Sequence, residues 1–464
     1  MFTIKEIALA TGGRIIGRAA GEVDSVSTDS RSVTPGQLFV PLRGERFDGH
    51  AFIREVSEKG ITAIMAEEQW LKGHSIPDSL SCIAVKNSLI GLGDLAAEWR
   101  RRFEIPIIAV TGSNGKTTAK EMLGAILELT GPGLKTTGNL NNLVGLPQMI
   151  FQLRPEHRWA VLEMGMSEPG EIDRLAAIAA PRVGVVLNAL PAHLLSMGTV
   201  EAVAAAKGEL LHRISDGGLA VVNADDSRVA SLSQNASARR ISFGIDRGEV
   251  RARDIKQMGL DGQQFLLVTP HGEATIHLKA CGRHNVYNAL AAAAALLEKV
   301  ELPTIAAGLE AFTPYKGRFQ IERLDGITLV DDSYNANPSS TKAALETLAQ
   351  IAAAGHRIAV LGDMLELGEH EAEAHLSVGV VAGRNVDRLY LTGKLMVKYA
   401  AQGALQAGMP QGSVVCCASH TEIAQLLQHT ITEGDVILLK GSRGMTMEKV
   451  AAELKNLMQY PKGE

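Results

Sequence analysis

The sequence predicts an α/β protein of three domains, the central one a largely parallel sheet built around a phosphate-binding loop. Three observations predict it. At 464 residues the chain has room for roughly three domains of about 150 residues each. From about residue 98 onward, apolar runs of strand length alternate with helical stretches, the pattern of a parallel sheet covered on both faces. A strand, a glycine turn and an amphipathic helix then meet in "AVTGSNGKTTAKEML", residues 109 to 123.

The first hundred residues carry short strand-like runs ("QLFVPL", "ITAIMA", "SCIAV") between polar turns, with one or two amphipathic helices and no phosphate-loop glycines. A helix-like stretch, "GLGDLAAEWRRRF", leads through Ile105 and Pro106 into the strand "IIAV". A first boundary is therefore expected near 98. The second falls within "FTPYKGRFQIERLDG" (312–326), where an alanine-rich helical segment gives way to Pro, Gly and a fresh strand. The expected domains are 1–97, 98–314 and 315–464. The last closes with "TMEKVAAELKNLMQ", whose Met447, Val450, Leu454 and Leu457 share a helical face.

The glycine turn is short. A standard G-x-x-x-x-G-K-[ST] loop would have its first glycine at the position of Val110; here Gly112 opens a G-x-x-G-K-T turn. Ile107 to Val110 is the strand, Gly112, Ser113, Asn114 and Gly115 the turn, and a helix is expected from Thr117. Its apolar face is Ala119, Met122, Leu123, Ile126 and Leu127. Backbone N–H groups of such a turn, with the positive helix end, cradle phosphate oxygens. Lys116 would neutralise the β and γ phosphates of ATP and Thr117 would ligate magnesium.

Six apolar runs of the central and last domains end in polar residues: Glu163, Asn188, Asn223, Asp331 with Asp332, Asp363 and Lys440. In open parallel sheets ligands sit outside the carboxyl ends of the strands, so these endings mark a site. Lys207 falls in the middle of the apolar stripe of its helix, formed by Val200, Val203, Leu210, Leu211 and Ile214. Such a lysine either snorkels past its neighbours or is buried, which disfavours the ammonium and leaves a nucleophilic amine. Glu163 and His193 are ligand types that magnesium and manganese accept.

Composition narrows the partners. A formal charge of -5 gives no basic field for nucleic acid or an anionic membrane, so small-molecule substrates are expected. The four cysteines lack C-x-x-C spacing, which suits a reduced, cytoplasmic setting. Lys5 and Glu6 interrupt what would be the apolar core of a signal peptide. The longest apolar run, "ALAAAAALL" at 289 to 297, is far short of the roughly 20 residues that span a bilayer. No membrane insertion is expected.

Together "VTGSNGKTTAKEM", "TTGNLNNLVGLP", "LEMGMSEPGEI", "AHLLSMGTVEAVAAAKGEL", "GRHNVYNALAAAA", "VDDSYNANPSS", "LGDMLELGE" and "LKGSRGMTME" resemble the ATP-dependent Mur ligases of peptidoglycan synthesis. The likeness spans almost the whole chain, including "STDSRSVTPGQLFVPLRGERFDGHAFI", and is to the branch that adds D-alanyl-D-alanine to UDP-N-acetylmuramoyl tripeptide. It implies an amino-terminal UDP-sugar-binding domain, a central ATPase domain, a carboxy-terminal Rossmann-like domain and a monomer. The phosphate loop, Gly112 to Thr117 with Thr118, would bind ATP. Lys116 would contact the γ phosphate, Thr117 and Glu163 would hold one magnesium, and His193 with a carbamylated Lys207 would serve a second. Asn285, Asn288, Arg318 and Asp332 match adenine and ribose positions. Ser30 and Arg31 fall in the UDP-sugar motif, and Asn139, Asn141 and Asn142 in the loop facing the muramoyl peptide.

In one respect the sequence departs from the family: Leu195 stands where relatives often carry an acidic residue after the "AHL" unit. The aspartate-asparagine-proline-arginine signature of the diaminopimelate-adding ligase is absent. The alternatives are a diaminopimelate- or lysine-adding Mur ligase and a folylpolyglutamate synthase, whose phosphate loop comes early in the chain without a hundred-residue domain ahead of it.

Overall fold

The computed structural model describes residues 1–45, 47–232 and 238–459; Arg46, inside the amino-terminal motif, lies outside them. The first sheet runs Arg14–Ile16, Ser81–Val85, Ala63–Glu67, Gln37–Phe39, Ser25–Ser27, parallel except for its first pair. Every residue of Ala63–Glu67 and Ser81–Val85 is buried, as expected of parallel strands covered on both faces.

Helix Ser88–Arg101 joins this domain to the next. Asn87 caps it, its Oδ1 accepting from the Ile90 N–H at 2.9 Å, and Arg100 and Arg101 occupy its last turn, where the helix dipole favours cations. The expected boundary near 98 falls inside this helix. The Arg100 Nε–H donates to the Ala179 carbonyl at 2.9 Å and the Arg174 guanidinium meets Asp94 at 2.8 Å, so the helix packs on the central domain. The passage between the two sheets lies at residues 102–106.

Among the described residues the central sheet has nine strands. Ile107–Thr111 lies between Ala160–Glu163 and Val183–Val186, parallel to both. The chain leaves Ile107–Thr111 for the edge strand Leu134–Lys135, returns to Ala160–Glu163, and then crosses to Val183–Val186 on the opposite flank. That reversal makes the end of Ile107–Thr111 the topological switch point, the place where ligands bind in such sheets. Alternation along the strand sorts its residues to two layers. Ile108 and Val110 pack under helices Lys116–Glu128 and Arg283–Leu296; Ile107 and Ala109 pack against Glu171–Ala179 and Val200–His212.

The expectation of strand and helix in strict alternation fails at the far edge. Val250–Gln257, Gln263–Thr269 and Gly272–Leu278 form an antiparallel meander, and Gln263–Thr269 is buried at every second residue. Its middle strand holds a short apolar run, Phe265 to Val268, and such a run by itself does not tell an antiparallel strand from a parallel one or from a buried helical segment.

The third sheet runs Gln320–Leu324, Ile327–Asp331, Val436–Lys440, Arg357–Gly362, Arg388–Thr392, Val414–Cys417, parallel except for its first pair. Met447, Val450 and Leu454 are buried at the closing helix Glu448–Gln459, with Leu457 half-buried beside them, the face expected from its spacing. Among the described residues no helix is long and apolar enough to cross a membrane.

Candidate active site

The glycine turn bends because Gly115 takes φ +85°, a conformation that side chains with a Cβ adopt at a cost. A Cβ there would lie 2.2 Å from Asn288 Oδ1. Gly115→Ala should therefore weaken ADP binding by at least about tenfold, through backbone strain plus displaced Asn288; isothermal titration measures it. The helix begins at Lys116, one residue earlier than expected. The loop is stapled to the neighbouring strand's exit: Ser113 N–H donates to Asn188 O at 3.2 Å, Asn114 N–H to Asn188 Oδ1 at 3.0 Å, and Ser113 Oγ to Leu190 O at 2.9 Å.

Two strand ends flank the loop. Thr117 Oγ1 donates to Glu163 Oε2 at 2.9 Å, and Asn141 Nδ2 donates to Glu163 Oε1 at 2.8 Å, so both carboxylate oxygens are held. Lys116 folds back on its own loop, Nζ donating to Gly112 O at 2.8 Å. Burial lowers its pKa, while Glu163 opposes that shift and Arg318 adds to it.

Lys207 is buried, with 2% of its surface exposed, so it does not snorkel. Among the described residues no hydrogen bond or ion pair anchors its ammonium. Burial, with repulsion from Lys116, pushes its pKa well down. His193 caps a one-turn helix with φ +54°. Its pKa is lowered by burial first and by Lys116 and Lys207, with Glu366 acting the other way.

All these groups open on one cleft of about 840 Å³. It takes in every residue expected at the ATP, metal and peptide sites except Gly112. Asn288 Nδ2 donates to Asn285 Oδ1 at 3.0 Å, and Asn285 Nδ2 to Cys281 O at 2.8 Å, which orients the pair beside Gly115. Arg318 stacks over the Tyr334 ring at 4.1 Å and its NH2 donates to Thr117 Oγ1 at 3.2 Å. It thus stands over the phosphate loop as well as near the asparagines. Asp332 accepts from Phe319 N–H at 3.1 Å and pairs with buried Lys440 at 2.5 Å.

Ser30 and Arg31 do not line this cleft. They sit in the amino-terminal domain, where the exposed Arg31 clasps Asp29 through two bonds of 2.9 and 2.8 Å and holds that carboxyl down at about 2. Gln148 of the central domain reaches this segment, its Nε2 donating to Thr28 Oγ1 at 2.9 Å.

Sequence reasoning named Arg318 and Asp332 of the third domain but missed two further groups that it brings to the cleft, Asn337 and Glu366. Asn337 Nδ2 donates to Asn114 Oδ1 at 2.6 Å, and Asn114 Nδ2 returns a bond to Asn337 Oδ1 at 3.3 Å. Asn337 also caps helix Pro338–Gln350, accepting from Ser340 N–H at 2.9 Å. Asn337→Ala should cost about 1 kcal/mol of stability for the lost cap, read by chemical denaturation. Glu366 meets His193 across the same junction. The signal available for both was their position in "VDDSYNANPSS" and "LGDMLELGE".

The donor set suits magnesium. A hydroxyl and a carboxylate stand together beside the phosphate loop, both hard oxygen ligands. Among the described residues no group of three or more His, Cys, Asp or Glu converges as a metal cage.

Family models match three stretches: "Mur ligase family, catalytic domain" over residues 22–90, "Mur ligase middle domain" over 110–296 and "Mur ligase, glutamate ligase domain" over 317–443. The UDP-N-acetylmuramoyl-tripeptide–D-alanyl-D-alanine ligase of Escherichia coli K12 is 36% identical over 439 residues, covering 93% of this chain and 94% of its own. A crystal structure of MurF from Acinetobacter baumannii is 34% identical and superposes with a TM-score of 0.89, covering 98% of this chain and 99% of that one. MurF ligase from Thermotoga maritima in complex with ADP is 28% identical with a TM-score of 0.84, over 95% and 99% of the two chains. Family models thus cover most of the sequence, relatives are matched along nearly their whole length, and the chain belongs to the Mur ligase family.

Proposed function

We propose that the chain is an ADP-forming amide ligase that uses ATP to join D-alanyl-D-alanine to UDP-N-acetylmuramoyl tripeptide, as a monomer, in cytoplasmic synthesis of peptidoglycan precursors. The observation that carries this reading is the pairing of Thr117 with Glu163 at the loop in the same cleft as buried Lys207. A nucleotide switch would need the loop but not a lysine held off the solvent.

The terminal carboxylate of the tripeptide attacks the γ phosphorus; a P–O bond forms and ADP leaves. Loop N–H groups and Lys116, swung from Gly112 O onto the phosphoryl oxygens, hold the charge that develops there. Magnesium, when bound, supplies Lewis-acid charge neutralisation at those oxygens. Thr117 and Glu163 would hold one ion, and His193 with Lys207 a second. For that role Lys207 is carbamylated: its neutral amine adds CO2, one proton departs, and a cation that would repel the metal becomes an anion. The amine of D-alanyl-D-alanine, having lost its proton, attacks the acyl carbon. The tetrahedral adduct collapses, the C–O bond to phosphate breaks, and an amide remains.

Asn285, Asn288, Arg318 and Asp332 are assigned to the nucleotide, Asn139, Asn141 and Asn142 to the muramoyl peptide, and Ser30 and Arg31 to the UDP-sugar. The third domain closes the cleft and excludes water that would hydrolyse the acyl phosphate. Purified protein should release ADP in a one-to-one ratio with new amide, and only when tripeptide and D-alanyl-D-alanine are both present. ADP release at the same rate without the dipeptide would refute the reading.

A further inference from the structure

His193 and Glu366 are two of the few residues other than glycine with positive φ, +54° and +65°. They face each other across the junction of the second and third domains. Non-glycine residues persist in that conformation only where their surroundings over-determine it, and such places cluster at functional sites.

The loop that presents Glu366 is fixed on every side. Asp363 Oδ1 accepts from the N–H groups of Leu395 and Met396 at 3.1 and 2.7 Å. Met364 N–H donates to Nε2 of the fully buried His375 at 3.0 Å. Leu365 N–H donates to Ser442 Oγ at 2.9 Å, and Ser442 N–H to Asp363 O at 3.0 Å. From this clamp Glu366 Oε2 stands 2.9 Å from His193 Nδ1, and Glu366 O accepts from Leu195 N–H at 3.4 Å. The one-turn helix that follows His193, Leu194–Met197, offers no carboxylate of its own.

An ionised carboxylate only accepts, so His193 must donate from Nδ1, and its other nitrogen is then the one left for a ligand. A carboxylate behind a histidine fixes both tautomer and ring orientation for metal binding. We infer that Glu366 is a positioning residue that the third domain supplies to His193, so that the His193 half of the metal site is complete only when that domain closes. This rests on the reading of His193 as a metal ligand. The strained backbone and the clamp then have a purpose: they place one carboxylate on a ring belonging to a different domain.

The test is Mn2+ titration followed by electron paramagnetic resonance, on the full-length protein with saturating ADP. Wild type, His193→Ala, Glu366→Gln and the double variant are compared, with ADP affinity and melting midpoint measured for each. The expected result is Mn2+ binding about 10- to 100-fold weaker in Glu366→Gln, no further loss when Glu366→Gln is added to His193→Ala, and ADP affinity and melting midpoint as in wild type. Glu366→Gln binding Mn2+ like wild type while His193→Ala binds weakly would overturn the positioning role alone. So would losses that add in the double variant, the mark of a general structural effect. If His193→Ala itself binds Mn2+ like wild type, the metal-ligand reading of His193 is wrong and the inference goes with it.

Discussion

Lys116→Ala protein is expected to fold and to make no measurable amide. The side chain makes one hydrogen bond, to Gly112 O, and loss of one such bond costs only about 1 kcal/mol. In the proposed mechanism its ammonium swings from Gly112 O to face the transferring phosphoryl group. Removing a single donor from a site where charge develops lowers turnover by about 100- to 1000-fold, and here a full charge goes with the donor. Steady-state ADP release with all three substrates measures the loss, with a thermal melt to establish that the fold is kept. Turnover within tenfold of wild type would mean that the loop does not hold the reacting phosphate.

Lys207→Ala should lose most activity for a different reason, and without loss of stability. Lys207 is 2% exposed, and an ammonium so placed, without a hydrogen-bond or ion-pair partner among the described residues, destabilises the fold unless it sheds its proton. Its replacement should therefore leave the melting midpoint unchanged or raise it. On the proposed reading, what disappears is the neutral amine on which the carbamate would be built. Added acetate should restore part of the rate, because a small carboxylate can enter the space left by the side chain and present oxygens in place of those of the proposed carbamate. Full activity of the alanine variant without acetate would remove Lys207 from the metal site.

The two lysines also illustrate how far local sequence reaches. Lys116 was legible because its function follows from chain neighbours: a strand, a turn that needs Gly115 at φ +85°, and a helix with an apolar face. Lys207 stood out only as a misfit in a helical stripe, where snorkelling was the preferred reading of the helix alone until its exposure was known. Glu163 and Asn188 could be marked as strand ends, but that they flank the loop depends on strand order, which brings Ala160–Glu163 and Val183–Val186 to either side of Ile107–Thr111. For Asn337 and Glu366 the motifs gave a position but not a partner. Their partners, Asn114 and His193, lie 223 and 173 residues away in the chain, and no periodicity records a contact between separately folded domains. The antiparallel meander at 250–278 escaped for a third reason: its two outer strands carry polar and charged residues on one face, and the apolar run of its middle strand says nothing of pairing direction.

The most direct measurement of the central claim is oxygen transfer. Tripeptide substrate labelled with oxygen-18 in its terminal carboxylate is turned over with ATP and D-alanyl-D-alanine, and the released phosphate is weighed by mass spectrometry. If the carboxylate is phosphorylated before the amine attacks, the oxygen that bridged carbon and phosphorus leaves with phosphate, giving one labelled oxygen for each amide formed. Phosphate carrying no label, with amide formed at the normal rate, would contradict the account.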